Sequence, residues 1–233
     1  MEKDLPTYLN TNPHLYTALI QLYRRGTVRV LEEDASGVFI QDTHGICYML
    51  AASDADTAIS WLEKHADETF DLMMIIGEDV ATRVQDKLKL PGRMDVYQAV
   101  YEADTPPHYK PRLRMEVATE ADKAFIREHY SNLDEGELQE LIRYGHIYMG
   151  YVTKGAPVGF VGQHMEGSMG LLEVLPAYQR KGYGAEMESF MIGEMLRQGL
   201  IPYCHFKTDN LPSRALQEKL GLTITDDIIT WLF

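Results

Sequence analysis

Cysteine is scarce. Cys47 and Cys204 are the only two in the chain, and they form neither a CxxC pair nor any zinc-ligand spacing. Nothing in that pattern suggests a disulfide scaffold, although one bridge between the two stays open, and reduced thiols in a cytoplasmic setting are the simpler reading. Long hydrophobic runs are missing too, so no segment reads as a membrane span. The opening stretch MEKDLPTYLN lacks the apolar core of a secretory signal. Positive charge is the minority sign, with 22 Lys and Arg against 35 Asp and Glu. A net charge of −13 repels phosphate backbones, so no nucleic-acid partner is expected, although one locally basic pocket stays open. The histidines are too scattered for a metal site, and no metal is expected. An apolar share of 45% is enough for a substantial core, and the chain reads as soluble and cytoplasmic.

Proline is sparse except in one place. Pro106, Pro107 and Pro111 fall within EADTPPHYKPR, which breaks regular hydrogen bonding and marks a linker over 105–111. Domains are expected over 1–104 and 112–233. The first half reads as α/β. Tyr16, Leu19, Ile20 and Tyr23 recur at helical spacing up to Gly26. Strand-like runs follow at 27–33, 37–42 and 46–52, separated by ASG and THG turns. Helices are expected at 56–64 and 77–90, and strands at 71–77 and 94–103. The second half predicts strands at 113–119, 146–152, 157–165, 168–176 and 201–206, with a TKGA turn between the second and third. Helices are predicted at 120–130, 134–145, 182–199 and 211–221, then one or two strands to the end. The halves share a loose rhythm, that of a degenerate duplication, but no motif repeats.

The stretch LLEVLPAYQRKGYGA, 171–185, is the most informative. An apolar strand ends in a proline turn, and a basic, glycine-containing loop opens straight into an amphipathic helix. Gln179, Arg180, Lys181, Gly182, Tyr183, Gly184 and Ala185 thus lie at a helix N-terminus. Free N–H groups and the helix dipole favour an anion there. Gly182 and Gly184 let phosphate oxygens approach the backbone, and Arg180 with Lys181 add positive charge. Three phosphate-site patterns compete. GxxxxGK[ST] is absent. GxGxxG lacks its third glycine, since Met187 stands there, and no acidic ribose ligand follows about twenty residues on.

The third pattern fits. Gln179 to Gly184 resembles the Q/R-x-x-G-x-G/A loop of the GNAT superfamily, the Gcn5-related N-acetyltransferases. NLPSRALQEKLGL, 210–222, resembles the same family's later segment through Asn210, Ala215, Leu216, Lys219 and Gly221. The resemblance covers about 112–233. HMEGSMGLLEVLPAYQRKGYG looks most like the glycine N-acyltransferase-like branch, which also carries an added N-terminal half. The resemblance implies a mixed, mostly antiparallel sheet in the C-terminal half and acetyl-coenzyme A or another acyl-coenzyme A as cosubstrate. It implies transfer to a primary amine by direct attack. The pantetheine arm would follow the backbone at Leu172 and Val174, with the pyrophosphate on 179–185. Leu172 N–H would serve the carbonyl oxygen, and Asn210 and Ser213 would touch the pantetheine or hold the following strand's exit. The acceptor is expected to be a small amine or amino acid, and the protein a monomer or homodimer. A coenzyme A-binding sensor with a lost active site is the competing reading.

Direct transfer needs a base and an acid. Glu173 interrupts the apolar run LLEVL, where a carboxylate is costly unless hydrated, paired or functional. Glu166 precedes it near a usual family base position, and Ser168 is placed to orient a water or the acceptor. Against these stand ordinary structural roles: a solvent-facing strand residue, a hairpin carboxylate and a turn serine. Gln217 stands where many family members have an acidic tyrosine, and glutamine supplies no proton at neutral pH. The acid is therefore unassigned. Cys204 beside His205 makes a poor nucleophile dyad, because adjacent strand residues point to opposite faces. His164 reads as an exposed strand histidine.

Overall fold

The computed structural model describes residues 5–44, 47–131, 133–152 and 155–233. Parts of the THG and TKGA turns lie outside the described residues, as do Ile46 at the start of the third expected strand and the first four residues of MEKDLPTYLN. The chain packs as two units, one of 1–100, 205–217 and 223–233, the other of 101–204 and 218–222.

The first unit contains α1 (Thr17–Arg25), β1 (Val28–Asp34), β2 (Gly37–Asp42), β3 (Tyr48–Ala52), α2 (Ala55–Lys64), β4 (Met73–Ile76), α3 (Glu78–Leu88) and β5 (Arg93–Val100). The second contains β6 (Arg114–Val117), α4 (Lys123–His129), α5 (Glu135–Arg143), β7 (Ile147–Tyr151), β8 (Gly159–Gln163), β9 (Met169–Val174) and α6 (Tyr183–Arg197). The division then falls inside β10 (Tyr203–Lys207), after Cys204, and inside α7 (Leu211–Leu220), after Gln217. The closing strands β11 (Thr223–Ile224) and β12 (Ile229–Leu232) belong to the first unit.

In the first unit β1, β2 and β3 form an antiparallel meander, and β3 runs parallel to β4. Strand β12 inserts antiparallel between β4 and β5. Its ITWL residues are buried along the whole strand, as an apolar run between two partners requires. Helix α2 starts where Asp54 accepts the Thr57 N–H at 2.8 Å, satisfying one of the free donors of the first turn. Trp61 and Leu62 from α2, and Val80 and Val84 from α3, close over Phe39, Leu50, Met73 and Ile75. Each large side chain removed from water there contributes about 1.5–3 kcal/mol before entropy is counted.

In the second unit β6, β7, β8 and β9 are antiparallel in chain order. Ile126, Leu138, Leu141 and Ile142 from α4 and α5 pack over Met149, Phe160 and Leu171. Helix α6 packs on β8 and β9, and Met187 reaches Gly150, the strand neighbour of Met149. Since strand residues alternate, α6 covers the face away from α4 and α5. The expected helix over 120–130 begins later than its pattern indicates. Thr119 and Asp122 cap each other reciprocally, which tightens 120–122 into a 3₁₀ turn before α4. Helix α5 is capped by Asp134, which accepts the Glu137 N–H at 2.8 Å.

Cys47 and Cys204 are both buried and are not joined in a disulfide. Among the described residues no helix is long and apolar enough to cross a membrane, and no group of His, Cys, Asp and Glu is placed to hold a metal ion.

Candidate active site

Strand β9 carries an irregularity that positions the site. It pairs with β8 at Gly159–Val174 and Phe160–Glu173, then at Gly162–Gly170 and Gln163–Met169. Leu171 and Leu172 together therefore oppose Val161 alone, the arrangement of a β-bulge. Leu171 takes the left-handed conformation, φ 54°, which a leucine rarely adopts. Its side chain is 1% exposed and lies in the core with α4 and α5. Gly162 leaves room for that side chain, because a Cβ there would come within 2.8 Å of Leu171 Cδ1 and of the His146 carbonyl oxygen. On its other edge β9 runs parallel to the start of β10 and pairs at Met169–Cys204. The bulge interrupts the regular β8–β9 ladder at Leu171 and Leu172.

The loop beyond β9 turns through Pro176–Tyr178. The Gln179 side-chain amide donates to the Val174 carbonyl at 2.9 Å, tying the loop to the strand end. Lys181 Nζ donates to the Ala177 carbonyl at 2.9 Å and lies 5.5 Å from the Tyr178 ring centre. Arg180 is exposed, with φ 60°, and Gly182 has φ 83°. Left-handed residues of this kind turn neighbouring N–H groups toward one side and create an anion-binding hollow. Helix α6 begins at Tyr183 with no side-chain cap, and Glu186 N–H bonds back to the Gly182 carbonyl at 3.2 Å. The N–H groups ahead of Glu186 precede that bond. A Cβ on Gly184 would meet Val174 at 3.6 Å and Leu172 at 3.9 Å, so this glycine faces the strand. The Ala185 carbonyl accepts from Ser189 Oγ at 2.7 Å. Gly184 thus brings the loop 179–185, with its exposed Arg180 and Lys181, against Leu172 and Val174 at the end of β9.

Glu173 stands across from Phe160 and is partly buried. Burial pushes its carboxyl above the usual carboxylate range, and the nearby charge of His129 draws it partly back. Glu166 and Ser168 lie together at the β8–β9 turn, where Ser168 Oγ donates to Glu166 Oε1 at 2.5 Å. Tyr203 OH donates to the Glu166 carbonyl at 3.4 Å. The expected candidates therefore divide into two groups, Glu173 beyond the bulge and the Glu166–Ser168 pair before it. His164 is more enclosed than expected, with 29% of its side chain exposed and its Nδ1 3.8 Å from Glu137. Burial opposes its charge, but the Glu137 contact and the charge of Glu166 prevail, and its pKa lies above the ordinary histidine value.

Asn210, Ser213 and Gln217 belong to the first unit. Asn210 Oδ1 accepts the Ser213 N–H at 3.1 Å, a cap at the start of α7, and Gln217 is buried. His205 has both ring nitrogens occupied: Trp231 Nε1 lies 3.3 Å from Nδ1, and Gln98 Oε1 lies 3.1 Å from Nε2. That commitment leaves it a structural imidazole. Sequence reasoning missed the bulge at Leu171 and two residues beneath the loop, Arg112 and Glu186. Arg112 Nη1 donates to the Lys181 carbonyl at 2.9 Å, and its Nε to Glu186 Oε2 at 3.1 Å. Arginine after a proline-rich linker and glutamate in a first helical turn were the signals present, and neither identifies its partner.

No curated protein matches the sequence. Residues 147–231 match the family model described as FR47-like protein. Among solved structures, a Drosophila protein aligns with a TM-score of 0.67 and 17% identity, over 84% of this chain and 73% of its own. An acetyltransferase of the GNAT family from Colwellia psychrerythraea aligns with a TM-score of 0.54 and 12% identity, over 86% and 82%. A Gcn5-related N-acetyltransferase from Kribbella flavida aligns with a TM-score of 0.55 and 11% identity, over 98% and 95%. By these structural likenesses, and with its FR47-like segment, the chain has the fold of the Gcn5-related N-acetyltransferase, or GNAT, superfamily.

Proposed function

We propose that the chain is an acyl-coenzyme A-dependent N-acyltransferase, with acetyl-coenzyme A the simplest donor. The observation that carries this reading is the continuity of the β9 bulge with the uncapped start of α6. A backbone edge and an anion seat follow one another, as a pantetheine arm and a pyrophosphate require. Acyl-coenzyme A supplies a thioester carbonyl to an attacking amine. The chain's own groups do the rest. N–H groups of 180–185 and the side chains of Arg180 and Lys181 hold the diphosphate. Leu172 and the Val174 N–H offer backbone partners to the arm, the Val174 carbonyl being held by Gln179, and Leu172 N–H, beside the bulge, polarises the carbonyl oxygen. Glu173 takes the amine's proton; its raised pKa brings it nearer the operating pH than an ordinary carboxylate. Glu166 with Ser168 orients the acceptor or a water, and Asn210 with Ser213 holds the exit of β10.

The proposed acceptor is a small amine or amino acid. The net charge of −13 favours a cationic one by steering, and the resemblance to the glycine N-acyltransferase-like branch favours a small amino compound. A cytoplasmic monomer or homodimer, with no nucleic-acid or membrane partner, completes the reading. Acetyl-coenzyme A should raise the melting temperature by linkage, and NAD should not. With a panel of amines, release of free thiol should depend on the acceptor. A melting shift with NAD and none with any acyl-coenzyme A would overturn the proposal, and cofactor binding without thiol release for any acceptor would leave a sensor in its place.

A further inference from the structure

Arg112 is 69 positions away from Lys181 in the chain, yet its guanidinium is built into the underside of the cofactor loop. Three of its features engage the loop and the first turn of α6 at once. Nη1 donates to the Lys181 carbonyl at 2.9 Å, Nε pairs with Glu186 at 3.1 Å, and the guanidinium lies 4.7 Å from the centre of the Tyr183 ring. Glu186, only 4% exposed, also accepts the backbone N–H groups of Arg112 at 2.5 Å and Leu113 at 2.6 Å. Its charge is thereby matched from below, and the arginine's main chain is fixed along with its side chain.

The Lys181 carbonyl and the Gly182 N–H belong to one planar trans peptide and point in opposite directions. Holding the carbonyl on Arg112 therefore aims the Gly182 N–H away from it, toward the side where a diphosphate would sit. Gly182 has no side chain to resist rotation of that peptide, so the arginine supplies the restraint. The geometry points to Arg112 as a positioning residue for diphosphate recognition, one that fixes the loop's N–H groups from outside the motif. The assignment rests on the loop being the seat of the coenzyme A pyrophosphate. It requires the planar fork, because a lysine ammonium cannot span Lys181 and Glu186 while stacking on Tyr183.

The test is calorimetric titration of the full chain with coenzyme A and with dephospho-coenzyme A, which keeps the pyrophosphate and lacks the 3′-phosphate. Arg112→Gln and Arg112→Lys should each weaken both ligands by a common factor, on the order of tenfold, the worth of one charge-assisted hydrogen bond. KM for acetyl-coenzyme A should rise by the same factor while kcat at saturation holds. Melting of the unliganded variants reports whether they fold; should Arg112→Gln fail to fold, Arg112→Lys, which keeps stem and charge, carries the test. Unchanged affinity in a folded variant, or full binding by Arg112→Lys, overturns the inference and leaves a tie between linker and helix. Failure of the unaltered chain to bind either ligand overturns the loop's assignment, and this one with it.

Discussion

Glu173 stands opposite Phe160 across the β8–β9 pair, so a carboxyl shares its stretch of strand with a fully buried ring. Partial burial disfavours the charged form. Glu173→Gln should lower kcat by about 10²–10⁴-fold, the usual worth of a positioned base, without weakening acetyl-coenzyme A binding. The acidic limb of the pH–rate profile should flatten in the same variant. Glu166→Gln should have the smaller effect. Both variants are to be compared with one acceptor and separate affinity measurements; wild-type kcat in both across pH would mean that neither carboxylate is the base.

The same burial has a thermodynamic sign. With its pKa raised, Glu173 binds its proton more tightly in the folded chain than in the unfolded one. The associated stability is full below the ordinary carboxylate pKa and is lost as pH rises through the raised folded value. Glu173→Gln has no such loss to undergo. Its melting temperature should exceed that of the unaltered chain at neutral pH, and the gap should close on acidification. A gap independent of pH would refute this linkage.

Gly162 is where the bulge is most easily upset. An added Cβ would lie 2.8 Å from both the His146 carbonyl oxygen and Leu171 Cδ1. Backbone cannot yield as a flexible side chain does. Gly162→Ala should destabilise the fold by about 1–3 kcal/mol, the usual cost of overpacking. It should also weaken acetyl-coenzyme A binding, because displacing Leu171 moves the Leu172 backbone. Denaturant melts and ligand titration together check this, and a destabilised variant with unaltered affinity would uncouple the bulge from the ligand.

Gly182→Val tests the loop itself. At φ 83° a β-branched residue is strained by about 1–2 kcal/mol, and relief of that strain reshapes the start of α6. The variant should fold, with a modest loss in melting temperature, and should lose the stabilisation given by acetyl-coenzyme A. Retention of the full ligand-induced shift would place the diphosphate elsewhere.

The loop's place between β9 and the start of α6 was legible in the sequence because its signal is local. Residues 179–185 are consecutive, and a basic glycine loop before a helix has the same physics in any fold. The bulge was not legible, since it is a relation of register between β8 and β9, and either strand alone reads as an ordinary apolar run. The Glu166–Ser168 contact was within reach because the two residues are neighbours in a turn. Arg112 was out of reach, being a surface-type residue after a linker whose partners are distant in sequence. ITWL likewise reads as a strand, but its period does not say that it will lie between β4 and β5. His164 read as exposed because alternation identifies a face without identifying what covers it, here Glu137 of α5.

Leu171 holds a backbone conformation that costs a leucine about 1–2 kcal/mol, and its side chain is anchored in the same core as Ile126, Leu138 and Leu141. Packing and strain are balanced at one residue. Drift in the helices above it is therefore constrained twice, once for solidity and once for the aim of the neighbouring amide. A volume change as small as Ile126→Val, made without touching any polar group, alters the pressure on that leucine and retunes the backbone one residue on.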